Sequence, residues 1–145
     1  MINENKQFIR EYLNAIDGSP KPFEKLSRYI AESDMELMNH IIAFERSFPN
    51  YRLVEQDMMA EGDKVAVRFL ITGKGEEDFF GTTTKGMEIS IQCFIIYQVH
   101  MRKIINHWFL SDNMGMMQQL GALPLDEKQD SEMTQMNVII SNKKE

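Results

Sequence analysis

A single cysteine, Cys93, stands in the 145 residues, so no internal disulfide can hold the fold together. Its neighbours Ile91, Phe94 and Ile95 predict a buried, inert thiol. No apolar run approaches the ~18 residues that a bilayer-spanning helix needs, so no membrane association is expected. The stretch Met1-Ile2-Asn3-Glu4-Asn5-Lys6 lacks a basic region followed by an apolar one, which predicts no secretory signal and a cytoplasmic protein. Basic residues are outnumbered, 16 Lys and Arg against 22 Asp and Glu, giving a net charge of −6. That surface repels phosphate backbones, and no basic cluster opposes the average; nucleic acid is excluded as a partner. Only three histidines occur, scattered along the chain, without metal-ligand spacing such as H-E-x-x-H. There is no glycine-rich phosphate loop, dinucleotide fingerprint or serine nucleophile elbow, so neither a metal nor an organic cofactor is expected.

What is present is an ordinary globular balance, 43% hydrophobic and 26% charged, in a length that suits one domain. The 12 methionines suit irregular core filling or an adaptable apolar pocket. Ile9, Leu13 and Ile16 recur at helical spacing until Gly18-Ser19-Pro20 ends the pattern. Pro22 suits the first turn of a short second helix carrying Phe23, Leu26, Tyr29 and Ile30. Ser33 and Glu36 have capping-box spacing, opening a third helix with Leu37, Ile41, Phe44 and Phe48 on one face. After Pro49 the period changes to two. Strands are expected over 52–60, from 64 onward with Val65, Val67, Phe69 and Ile71 on one face, over 88–99 and over 103–110, with Gly62-Asp63 as a tight turn.

The last two strands are apolar on both faces, so both should be covered, one by helices and the other by a partner subunit. A short helix follows Ser111-Asp112, and a polar tail, 125–145, follows a domain spanning 1–124. Helices segregated before an antiparallel meander give an α+β fold. Packed on one face of a curved sheet, they leave a conical cavity, the default place for a ligand.

Four segments in order carry a likeness: Phe48-Pro49-Asn50-Tyr51, then Ala60-Glu61-Gly62-Asp63-Lys64-Val65-Ala66-Val67-Arg68, then Lys103-Ile104-Ile105-Asn106-His107-Trp108, then Gln118-Gln119-Leu120-Gly121. Together they resemble the SnoaL-like polyketide cyclase (ester cyclase) family, within the nuclear-transport-factor-two-like superfamily. The resemblance implies a cone-shaped α+β barrel, usually a homodimer, without metal or organic cofactor. It also implies intramolecular aldol closure of a polyketide ester, with proton transfer by an aspartate that aligns with Asp112. The chain departs from the family at Gly73-Lys74-Gly75, where a histidine is usual, and at Thr82-Thr83-Thr84-Lys85-Gly86, where a proline pair is usual. His100-Met101-Arg102-Lys103 likewise replaces an acidic-Gly-Lys turn.

The reaction suits one carboxylate that removes a proton beside a carbonyl and later returns one. A free aspartate, with a pKa of about 3.9, becomes an effective base near neutrality only when an apolar cavity raises that value. Along an unbroken strand Trp108, Leu110 and Asp112 share a face, making Trp108 an apolar wall; the competing reading is that Asp112 merely caps the next helix. His107 falls on the opposite face unless a bulge intervenes, as a second proton carrier or as a polar residue at a subunit contact. His40, on the Leu37–Phe44 stripe, is either a core residue or part of a pocket lining with Phe44, Phe80, Trp108 and Met114. Phe79, Phe80 and Met87 sit in the loop that would close the pocket mouth. Arg68 is read as a salt-bridge partner of a neighbouring strand. Three functions fit: a cyclase-like acid/base enzyme on an apolar carbonyl compound, a non-catalytic binder of a small apolar ligand, and a dimeric interaction module with a filled core.

Overall fold

The computed structural model describes residues 3–76 and 84–121. Phe79, Phe80 and the expected tail after residue 124 lie outside the described residues. Helix α1, Glu4–Ile16, starts where the Asn3 side chain accepts the Lys6 N–H, and buries Phe8, Ile9, Tyr12, Leu13 and Ile16. A single helical turn, α2 (Phe23–Leu26), follows Pro22, and a 3₁₀ turn, Glu32–Asp34, leads into α3, Met35–Ser47. Four strands come next, β1 (Arg52–Glu61), β2 (Lys64–Lys74), β3 (Glu88–His100) and β4 (Lys103–Ser111), then α4, Asn113–Gln119. They form one antiparallel sheet in the order β1-β2-β3-β4. The α+β expectation holds, and so does the Gly62-Asp63 turn, where Gly62 takes φ 62.

The capping box does not form. Asp34 caps α3, accepting the Leu37 N–H at 3.3 Å, while the Ser33 hydroxyl donates to the Ile105 carbonyl at 3.0 Å. The reason is a tertiary contact: Ala31 N–H donates to Ile104 and Ile104 N–H to Tyr29, so residues 29–33 run alongside the outer edge of β4. The helix therefore begins one residue later than the local motif suggests.

Val65, Val67, Phe69 and Ile71 of β2 and Ile89, Ile91, Cys93, Ile95, Tyr97 and Val99 of β3 bury their side chains beneath the helices. Cys93 is fully buried as expected, and burial pushes its thiol pKa well up. No described residue packs over much of the opposite face. Phe94 is 48% exposed, Ile96 40%, Trp108 40% and Leu110 72%, so the helices satisfy only half of the coverage that these two-sided strands require. Arg68 pairs with Asp57 at 2.8 Å on this outer face, the expected cross-strand salt bridge.

Candidate functional site

On the inner face of the sheet the fold buries an acid beside a histidine. On β4, His107 pairs with Tyr97 and Phe109 with Ile95, so both point toward the helices. His107 Nδ1 lies 2.7 Å from Asp34 Oδ2, and both side chains are 2% exposed. The turn that runs along β4 delivers Asp34 there, and the second carboxylate oxygen caps α3. Burying an acid is costly unless it is paired and hydrogen-bonded, and Asp34 meets both conditions.

His40 lies farther along α3, partly accessible, its ring 5.6 Å from Phe109 and 6.3 Å from Phe44. Burial lowers its pKa to about 4, and the proximity of His107 adds to the effect, so His40 is neutral at physiological pH. Phe44 stacks on Phe48 at 4.8 Å and meets Tyr51 edge-on at 5.0 Å. Beneath them Tyr12 and Tyr97 make an edge contact at 5.7 Å, both phenols raised in pKa chiefly by burial. Glu36, half-buried in the first turn of α3, brings a carboxylate oxygen to within 4.8 Å of donor atoms on Asp34 and His107.

The other candidates go elsewhere. Asp112 is exposed and serves as the N-cap of α4, its carboxylate accepting the Gly115 N–H at 2.8 Å. The physical reason is local: the chain leaves β4 and starts a helix at once, and the free N–H groups of that first turn need an acceptor. The apolar enclosure on which its acid/base role depends is absent. Trp108 pairs with Ile96 on the outer face, away from both His107 and Asp112's expected pocket. Met114 is 45% exposed, whereas Met116 and Met117 carry the buried side of α4. Of the expected lining among the described residues, His40 and Phe44 are on the inner side with His107, and Trp108 and Met114 are not. A groove of about 600 Å³ lies on the outer sheet face, lined by Met59, Phe94, Ile96, Trp108, Leu110 and the Arg68–Asp57 pair, opposite the side where a pocket is expected.

Asp34 is the residue that sequence reasoning misses. Only its acidic side chain just ahead of an apolar helical stripe signals it, and that pattern reads equally as a surface cap.

The profile described as SnoaL-like polyketide cyclase matches residues 30–120, which take in Asp34, the sheet and α4. The chain belongs to this family. Among solved structures, AclR from Streptomyces galilaeus superposes with a TM-score of 0.73 at 19% identity, covering 92% of this chain and 90% of that one. IdmH from Streptomyces antibioticus gives 0.68 at 24%, covering 82% and 99%. A SnoaL-like polyketide cyclase from Agrobacterium tumefaciens gives 0.69 at 14%, covering 83% and 100%. At these identities the likeness is one of fold. No curated protein matches the chain. No helix among the described residues is long and apolar enough to cross a membrane.

Proposed function

We propose that this SnoaL-like chain is a cofactor-independent acid/base enzyme acting on a small apolar carbonyl compound, with His107 as its proton carrier and Asp34 orienting it. The observation that carries the reading is the buried 2.7 Å contact between these two side chains on the inner sheet face. With Asp34 Oδ2 accepting from Nδ1–H, the ring lone pair lies on Nε2, the arrangement that makes imidazole a directed base. The neutral His40 imidazole can donate a hydrogen bond to a carbonyl oxygen without itself being an acid, and Phe44 and Phe109 supply the apolar flank. The aldol-type closure then balances without any co-reactant. A proton leaves the carbon beside one carbonyl, the resulting enolate adds to a second carbonyl, and the alkoxide formed takes a proton back. Cyclase and hydroxylase assignments both occur among the similar structures, so the fold alone does not select the reaction.

The test is exchange of the α-protons of a β-keto ester in D2O, followed by proton NMR. The wild-type chain should accelerate exchange, His107→Gln and Asp34→Asn should lose it by at least about a hundredfold, and Asp112→Asn should keep it. The reverse pattern, with loss only in Asp112→Asn, would return the role to Asp112 and overturn this reading.

A second observation, the uncovered apolar outer face, supports a homodimer through that face. Two copies facing each other bury Phe94, Ile96, Trp108 and Leu110 and can exchange partners between the Arg68–Asp57 pairs. Light scattering at tens of micromolar should give twice the chain mass, and Leu110→Glu should halve it; a monomeric wild-type chain rejects the dimer.

A further inference from the structure

We infer that Asp34, Glu36 and His107 form a site for a divalent cation of the zinc class, and that its occupancy blocks proton exchange through His107. The second half rests on the acid/base reading above; the first does not. One donor atom from each residue lies within 4.8 Å of the other two. Asp34 and His107 are already 2.7 Å apart.

The charge count favours a cation. Two carboxylates and one imidazole share a small, largely buried volume, and the imidazole can offset at most one of the two negative charges. A divalent ion offsets both. The donor set is two oxygens and one nitrogen from three protein residues, atom types that zinc accepts, and a tetrahedral ion would keep a fourth position for water. Zinc bonds of about 2.0–2.2 Å at tetrahedral angles separate neighbouring donors by roughly 3.3 Å. Asp34 and His107 therefore need to part slightly, and Glu36 needs to close in. Glu36 can do so, because its side chain has three rotatable bonds and is only half-buried.

Binding changes what His107 can do. A cation at this edge displaces the Nδ1 proton, which passes to Nε2, takes the Nδ1 lone pair and draws the Asp34 carboxylate onto itself. The imidazole then has no oriented lone pair to receive a substrate proton. Magnesium, which keeps several waters and favours six oxygen ligands, should not compete at the same concentration.

The experiment uses the full chain with ZnCl2 as the probe, measured by calorimetric titration and thermal melting. Wild type should bind one equivalent in the micromolar range and melt several degrees higher, reversed by EDTA, with no effect of MgCl2. Glu36→Gln, which leaves the Asp34–His107 pair intact, should weaken binding at least tenfold while retaining α-proton exchange. In the wild type, saturating zinc should suppress exchange by at least tenfold, and in Glu36→Gln the same concentration should not. Absence of binding, or binding unchanged in Glu36→Gln, overturns the site even if exchange persists. Tight, Glu36-dependent binding without suppression of exchange overturns the block alone.

Discussion

Acidification tests how dry the interior beside His107 is. The His40 imidazole titrates near 6.5 when the chain is unfolded and at about 4 when folded, because burial and the proximity of His107 disfavour its charged form. A depressed folded value means that, below pH 6.5, the unfolded chain binds a proton that the folded chain refuses. Stability is thus complete above about pH 6.5 and is lost progressively as pH falls toward 4. The linkage integral over these two values gives about 2 kcal/mol lost between pH 7 and pH 5, and about 3 kcal/mol once both states are protonated. Other groups titrate over the same interval, so the comparison must be with a variant that removes only this one. Urea unfolding of wild type and His40→Gln at pH 7 and pH 5 isolates the contribution: wild type should lose about 2 kcal/mol more than the variant. Equal losses in the two proteins, or a folded His40 titrating near 6.5 by NMR, would refute the claim that this ring sits in a low-dielectric interior.

Asp112→Ala should cost about 1 kcal/mol of stability as a lost helix cap. Gly115→Ala should lose much of the same energy, because a Cβ there collides with the Asp112 carboxylate, and the double variant should cost less than the sum of the two in denaturant melts. Lys21 is fully buried, donating to Glu45 and to the carbonyls of Ser19 and Tyr51. Lys21→Met should therefore destabilise by about 3 kcal/mol, leaving the half-buried Glu45 carboxylate without its cation and with only the Asn50 N–H as donor among the described residues, again read from urea midpoints. The β3–β4 turn places Met101 at φ 50 and Arg102 at φ 58, where side chains other than Asn and Gly are strained. Met101 makes little packing contact, being 84% exposed, so Met101→Asn should raise Tm by a few degrees, a gain of about 0.5–1 kcal/mol.

Much of the architecture is legible because its signals are local. Alternation at Val65, Val67, Phe69 and Ile71 specifies the buried face of β2, and the Gly62 turn specifies its pairing with β1. Proline positions and helical spacing likewise mark the helices. The site is less legible because its parts converge from distant segments. Asp34 meets His107 across 73 positions, and no spacing rule links a helix cap to the inner face of the last strand. His40 and Phe44 are recognisable as candidates because they share one stripe. The resemblance points to Asp112, yet its local setting, a strand end running straight into a helix, makes it a helix cap.

The face on which each β4 residue lies follows from one irregularity. Val99 pairs with Ile104 and Gln98 with Asn106, so Ile105 is an extra residue, a bulge opposite the Gln98–Val99 step. Ile104 is buried, and strict alternation from it would send Asn106, Trp108 and Leu110 inward. The bulge reverses that order, sending His107 and Phe109 inward and Trp108 and Leu110 onto the outer face. It also offers the Ile105 carbonyl to the Ser33 hydroxyl, while Ile104 beside it bonds Tyr29 and Ala31. Those bonds hold the turn that carries Asp34. One inserted residue therefore turns the imidazole inward, helps anchor the segment bearing its carboxylate, and puts Trp108 and Leu110 on the exposed apolar face. A strand read by simple alternation places every one of these side chains on the wrong side.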